Sequence, residues 1–217
     1  MAENIRSGLR KSPDFVFLDN PGSYAIFIMN TFRKRNEMPK KLDKIKERAL
    51  EEARKILLEE GYAALTVRRV SQMLRIGVGT IYNYFPSKDH LIAGVMLEDW
   101  QEALLAFEAE GIGEAEAVIR RLFALVRDFS GRYQPVWVQY GGQEETDALR
   151  GRYHSVLVRQ LAGYISPVLP DKAEDWLPSF LAELVLRFAS DAQMQYEEIK
   201  AAVRKLLAQP GQVYTGT

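Results

Sequence analysis

The chain contains no cysteine, which excludes a disulfide scaffold, a Cys-ligated zinc site and an iron–sulfur centre. Imidazole is nearly as scarce. His90 and His154 are the only histidines in 217 residues, too few to expect a metal centre. No run approaches the roughly 20 apolar residues that a membrane-spanning helix requires, the longest candidate being Tyr24 to Met29. The N-terminus lacks the ordered basic, apolar and small-residue regions of a secretory signal, so the expected compartment is cytoplasmic. There is no Gly-x-Ser-x-Gly elbow, no P-loop and no His-Glu-x-x-His motif. Tyr84 and Lys88 have the spacing of a dehydrogenase Tyr/Lys couple, but Pro86 breaks the helix that would carry both. The nearby Gly77-Val78-Gly79 has Tyr82 where a dinucleotide fingerprint needs its third glycine. No catalytic residue, cofactor or metal is expected, and the chain reads as a non-enzyme.

Net charge is also absent, 29 basic side chains facing 29 acidic ones, but this zero is a cancellation. Residues 31–90 carry 14 Lys and Arg against 8 Asp and Glu, whereas residues 91–217 carry 12 against 18. A basic segment ahead of a larger acidic one fits an N-terminal unit that faces a polyanion and a C-terminal body with a different task. At 47% hydrophobic and 11% aromatic residues, the chain can bury a sizeable core.

Residues 1–37 hold no helical or strand period for long and read as an extension. Two readings of it stand open, a start at Met29 or Met38 and an arm lying on the body. From Leu42 the pattern is strong: Leu42, Ile45, Ala49, Leu50, Ala53, Ile56 and Leu57 line one face of a helix that stops at Gly61. Thr66 is placed to cap a second helix over 66–74, whose stripe is Val67, Val70 and Leu74. After a break at Arg75 to Gly77, residues 78–85 form a third helix with Ile81 and Phe85 turned inward and Tyr82 and Asn83 outward. Pro86 ends it and Ser87 caps a fourth, from Lys88 to about Glu110. Further helical periods cover 117–129, 146–165, 176–192 and 198–207, between Gly and Pro punctuation that includes Gly131 and Pro135. No alternating pattern is long enough for a sheet, so the fold is expected to be all-α.

Two short helices joined by a tight break are the layout of a helix-turn-helix DNA reader. Arg68, near the start of the second helix, carries a planar fork of donors suited to guanine O6 and N7 or to phosphate. Thr80 and Tyr82 offer hydroxyls for phosphate oxygens. Val78 could pack on a thymine methyl, Gly79 permits close approach, and Asn83 suits adenine. Lys88 adds its ammonium to the positive end of the fourth helix. With Thr66 at the cap, these residues are the candidate DNA-binding set. Arg75, Lys40, Lys41 and Lys44 are candidate additional phosphate contacts.

The stretch Gly61-Tyr62, Thr66-Val67-Arg68, Gly79-Thr80-Ile81-Tyr82-Asn83-Tyr84-Phe85 and Pro86-Ser87-Lys88 resembles the N-terminal domain of the TetR family of transcriptional regulators, over residues 42–97. The resemblance implies that the first helix buttresses the unit, the second crosses the DNA backbone and the third enters the major groove. It also implies that Arg68, Thr80 and Tyr82 match DNA-contacting positions, and that the rest of the chain is a helical ligand-binding and dimerisation domain. Two positions depart from the family's pattern: Arg75 stands where the turn usually has glycine, and Gly77 where the third helix usually has a serine-like cap. The expected organisation is an extension over 1–37, a helix-turn-helix domain over 38–87, an effector-binding and dimerisation domain over 88–208, and a tail over 209–217.

The expected function is a ligand-responsive repressor that binds double-stranded operator DNA as a homodimer, with no membrane partner. Its effector is a small apolar or aromatic molecule; most of the body's aromatics are expected in the core, and Trp137, Tyr140 and His154, the least implausible lining residues, are not counted as sites, His154 reading equally as a satisfied core histidine. The alternative is an architectural, chromosome-associated DNA-binding protein with no effector. The stripes Leu181, Leu184, Val185, Phe188 and Ile199, Val203, Leu206, Leu207 are the candidate dimer surface, the competing reading being that they close the chain's own core.

Overall fold

Helix formation in this chain follows apolar periodicity and side-chain capping closely enough that the element order can be explained residue by residue. The computed structural model describes residues 40–111, 113–140 and 145–208. The extension over 1–37, the tail over 209–217 and the side chains of Lys40, Lys41, Trp137 and Tyr140 lie outside the described residues. Among the described residues there are eight α-helices, α1 (Lys40–Glu59), α2 (Val67–Leu74), α3 (Val78–Tyr82), α4 (Lys88–Ala109), α5 (Ala115–Tyr140), α6 (Glu145–Ile165), α7 (Leu177–Ala189) and α8 (Tyr196–Ala208), and no strand. Short 3-10 turns at Tyr62–Ala64 and Ser166–Val168 complete the path. The all-α expectation holds.

Two apolar cores organise these helices. In the head, Ala49, Leu50, Ala53, Ile56 and Leu57 of α1 bury against Val67, Val70 and Leu74 of α2 and against Ile81 and Phe85. The head core also draws on Leu91, Ile92 and Val95 from the first half of α4, and on Tyr133 and Val136 from the last part of α5. The body core takes the remainder of those two helices, with Trp100, Leu104 and Phe107 from α4 and Val118 to Val126 from α5, and joins them to α6, α7 and α8. Helices α4 and α5 therefore run through both cores. At 1.5 Å per residue, the 22 residues of α4 extend for about 33 Å, enough to tie one unit to the other.

The α1/α4 crossing is close because Gly94 has no side chain. A Cβ added there would meet Leu50 Cδ2 at 2.8 Å and Phe85 Cε1 at 3.2 Å. Both neighbours are buried, so neither has free space to move into.

The fifth helix corrects the sequence expectation. Its period ends at Phe129 when Gly131 and Pro135 are read as breaks, yet α5 continues through both to Tyr140. Proline in a helix interior forfeits one hydrogen bond and crowds the carbonyl four residues earlier, here that of Gly131. Tyr133 and Val136 are buried in the head core on either side of Pro135, and this burial outweighs the local penalty. The third helix is shorter than expected, ending at Tyr82, while Tyr84 and Phe85 continue as a turn held by their backbone N–H groups donating to the Ile81 carbonyl.

Candidate nucleic-acid interface

The two reading elements are positioned by different devices. Helix α2 is capped by Thr66, whose hydroxyl accepts from the Arg69 backbone N–H at 3.0 Å. Its other end is closed by Arg75 in the left-handed conformation, with φ 54° and ψ 44°. Helix α3 has Gly77 as its N-cap with no side-chain hydrogen bond, as expected from that position. What holds α3 is its single buried side chain, Ile81, which is fully inaccessible to solvent. Phe85, just beyond, is buried as well and fixes the exit of the chain into α4.

With Ile81 inward, the opposite side of α3 is presented to solvent. Val78, Gly79, Tyr82 and Asn83 are exposed, and Thr80 is half-buried. Val78 and Tyr82 belong to the few large hydrophobic side chains left open to water, at 39% and 49% exposure, although the head core lies directly beneath them. Nothing lies within 4 Å of where a Gly79 Cβ would be, so this glycine is not required by the chain's own packing. On α2, Thr66 and Arg68 are exposed, with Gln72 and Met73 beside them. Arg69, next to Arg68, is drawn away by a bidentate pair with Glu60 at 2.5 and 2.9 Å. The structure thus separates two adjacent arginines, one committed to an internal ion pair and one facing solvent.

Lys88 occupies a more enclosed position than a purely solvent-facing lysine. Its ammonium donates to the Tyr62 carbonyl and sits 3.5 Å above the centre of the Tyr62 ring. Burial lowers its pKa from the ordinary lysine value, the nearby Asp89 opposing that shift. One ammonium hydrogen is used on Tyr62, leaving donor capacity for a second oxygen. Ser87 caps α4 by accepting from the His90 backbone N–H at 3.3 Å, and its hydroxyl lies 2.8 Å from His90 Nδ1. Burial lowers the His90 pKa, again against Asp89.

Tyr62 as the seat of Lys88 went unnoticed in sequence, and so did Asp99, which is buried between the cores. Asp99 carried a readable signal: it falls four residues after Val95 and seven after Ile92, in phase with inward-facing positions. His154 is exposed and pairs with Glu183 at 2.6 Å, so it is not a core histidine.

Arg75 leads to a measurable expectation. A left-handed conformation costs a residue with a Cβ about 1–2 kcal/mol, partly offset by the greater unfolded-state freedom of glycine. Arg75→Gly is therefore expected to raise the stability of the head by roughly 0.5–1 kcal/mol in chemical denaturation. If the guanidinium also touches phosphate, the same variant binds all duplexes more weakly and with a salt dependence shallower by about one unit.

An all-α chain with two cores and a short exposed helix set on a capped partner has the layout of a helix-turn-helix unit. Residues 49–95 match the bacterial regulatory proteins of the tetR family. The chain is 30% identical over 87 residues to the HTH-type transcriptional regulator UidR of Escherichia coli strain K12, a stretch covering 39% of this chain and 44% of that protein. It is 33% identical over 67 residues to the HTH-type transcriptional repressor KstR of Rhodococcus jostii strain RHA1, covering 27% and 32%. The alignment spans less than half the length of these curated relatives. The solved structure of Salmonella enterica GusR superposes with a TM-score of 0.53 over 76% of this chain and 96% of that one, at 17% identity, a likeness of fold. Over residues 49–95, the helix-turn-helix head, the chain is similar to the TetR family of transcriptional regulators.

Proposed function

We propose that this protein is a sequence-specific regulator of transcription, a ligand-responsive repressor that binds an operator in double-stranded DNA as a homodimer in the cytoplasm. The observation that carries this reading is the exposure of Val78, Gly79, Tyr82 and Asn83 on a helix whose only buried side chain is Ile81. A soluble surface has no use for valine and tyrosine side by side over a well-packed core, whereas a major groove offers thymine methyls and phosphate oxygens to them. In this reading Arg68 reads a base edge from the start of α2, Thr80 and Tyr82 bind phosphate, Asn83 pairs with adenine, and Lys88 holds phosphate at the positive end of α4. Thr66 sets the angle of α2 and has its hydroxyl occupied in doing so.

The proposed division of labour gives reading to residues 38–87 and effector binding and dimerisation to residues 88–208. An effector that is small and apolar or aromatic would bind among the body helices, and α4, shared by both cores, would carry the change to the head. The relatives are regulators, which supports this over an architectural role. No helix among the described residues is long and apolar enough to cross a membrane.

The dimer surface is proposed at a different place from the one the apolar stripes suggest. Leu181, Val185, Ile199 and Val203 are buried in the body core of a single chain and close that core, while Leu184, Phe188, Leu206 and Leu207 are only partly buried against it. Trp176, the N-cap of α7, and Phe180 are open to solvent and in edge-to-face contact at 5.6 Å, followed on the same helical face by the exposed Glu183 and Arg187. Exposed paired aromatics ringed by charge are the composition of an interface centre.

The test compares two single variants. Arg68→Ala is expected to weaken binding to the operator by about 1–3 kcal/mol and to leave binding to random duplex nearly unchanged. Lys88→Ala is expected to weaken both alike and to lower the salt slope by about one. Equal loss on the two DNAs from Arg68→Ala would remove its base-reading role.

A further inference from the structure

Asp99 is the only buried carboxylate among the described residues, with its side chain 2% exposed, and it lies where the head core ends and the body core begins. On α4, Leu91, Ile92 and Val95 before it belong to the head core, and Trp100, Leu104 and Phe107 after it belong to the body core. Three side chains meet it. Arg54 of α1 approaches with Nε 2.5 Å from Oδ1, while Arg132 Nη1 and the Tyr133 hydroxyl of α5 donate to Oδ2 at 3.1 and 2.6 Å. Arg54 also donates to Glu98 at 3.3 Å. Burial opposes the Arg54 charge, but the carboxylates of Asp99, Glu102 and Glu98 together outweigh it and raise the pKa. Burial, and then the bond to Asp99, hold the Tyr133 hydroxyl un-ionised far above the usual range.

The rest of the seam is apolar. Phe129 packs against both cores and lies between Trp100, which it meets edge-to-face, and Tyr133, to which it is tilted, each ring pair 5.1 Å apart. Apolar contacts of this kind are non-directional, so they fix the separation of the two units more firmly than their angle. The Arg54–Asp99 contact is a close charge pair and not an aligned hydrogen bond, and its energy falls as the two charges separate. A buried ion pair is also a weak source of net stability, since well-packed apolar residues do as well, and what it best supplies is a defined geometry. Of the four participating side chains, only Arg54 comes from the helix-turn-helix unit's own first helix.

We propose that the Arg54–Asp99 ion pair sets the angle of the reading head on the body, acting as a positioning contact between α1 and α4. The inference rests on the reading of α1 to α3 as a DNA-binding head. Two such heads must match half-sites one helical turn apart, so a head held at one angle binds and a head free to rotate binds poorly. Arg132 and Tyr133 approach the other carboxylate oxygen, Oδ2, from α5 and complete the neutralisation of Asp99.

The experiment uses the full chain, in which introduced cysteines are the only thiols. Spin labels are placed at Gln72→Cys on α2 and Ala201→Cys on α8, both exposed, and diluted with unlabelled chain so that only distances within one protomer are read by pulsed electron–electron resonance. Without DNA or effector, Arg54→Met is expected to broaden the head–body distance distribution about twofold, whereas Arg132→Met, which leaves the α1–α4 pair intact, is expected to leave it unchanged. Should Arg54→Met lose its helical circular dichroism, Arg54→Lys takes its place, since it keeps the charge and loses the fork, and broadening is again expected. An unchanged distribution in the folded Arg54 variant overturns the proposal, as does equal broadening by Arg132→Met. Because no DNA is present, this failure is distinct from a failure of the regulator reading, which shows instead as wild-type protein without sequence-selective binding.

Discussion

Ile81→Ala is expected to abolish operator binding without removing any side chain that faces DNA. Helix α3 has five residues, far below the length at which a helix sustains itself in water, and Ile81 is its only buried side chain. Truncating a fully buried isoleucine to alanine costs about 2–5 kcal/mol, the lost transfer energy plus the cavity left behind. In a large core that cost is spread over many neighbours. Here it falls on one short element, so α3 is expected to detach from the head while α1, α2 and the body stay folded. Circular dichroism should then fall only slightly, amide exchange over 78–85 should lose its protection, and specific and non-specific DNA binding should drop together. A variant that binds its operator with wild-type affinity would show that α3 is held by something other than Ile81.

Gly79→Leu is expected to do the opposite to the protein and the same to the complex. No atom of the chain lies within 4 Å of a Cβ at this position, so a side chain meets only solvent, and leucine improves on glycine in a helix by about 0.5–1 kcal/mol. The variant should melt at the same temperature as the wild type or slightly above it. Against a major groove, however, a branched side chain at the point of closest approach fills the space the DNA would occupy. Specific affinity should fall by about 100-fold, equivalent to about 2.8 kcal/mol at 1.4 kcal/mol per factor of ten. Thermal denaturation and fluorescence anisotropy on one preparation measure both quantities. Lost stability with intact binding would mean that this face of α3 does not meet DNA. Together the two variants separate the scaffold of the reading helix from its reading surface.

The head was legible in the sequence because each of its elements is announced by local chemistry. The stripe from Ala49 to Leu57 recurs at helical spacing, Thr66 and Ser87 are hydroxyl caps in the right places, and Ile81 and Phe85 lie four apart on one side; the structure buries or caps every one of these. What escaped was set by tertiary contacts. Pro135 reads as a break by any local rule, and only the burial of Tyr133 and Val136 in a distant core carries α5 past it. The stripes at Leu181 and Val185 and at Ile199 and Val203 have the same period whether they face a partner or their own chain, and here they face their own chain. Conversely, Trp176 and Phe180 fit the general expectation of aromatic residues in a core, yet both are about half exposed. Asp99 shows a third kind of gap. A carboxylate in phase with apolar residues is a signal of burial with a partner, but Arg54 lies 45 positions away and cannot be paired with it from spacing alone.

The central claim, that the exposed face of α2 and α3 reads a particular DNA sequence as part of a two-fold assembly, is tested most directly by selection of duplexes from a random pool with the purified full-length protein, followed by anisotropy on the enriched duplex and a scrambled one at low and near-physiological salt. Two inverted half-sites whose centres lie about 10 base pairs apart, or a multiple of that, should be enriched, and the preference over the scrambled duplex should persist at the higher salt. A pool that yields no common sequence, with both duplexes bound equally and binding lost together as salt rises, would contradict the account and leave only charge-driven attachment to DNA.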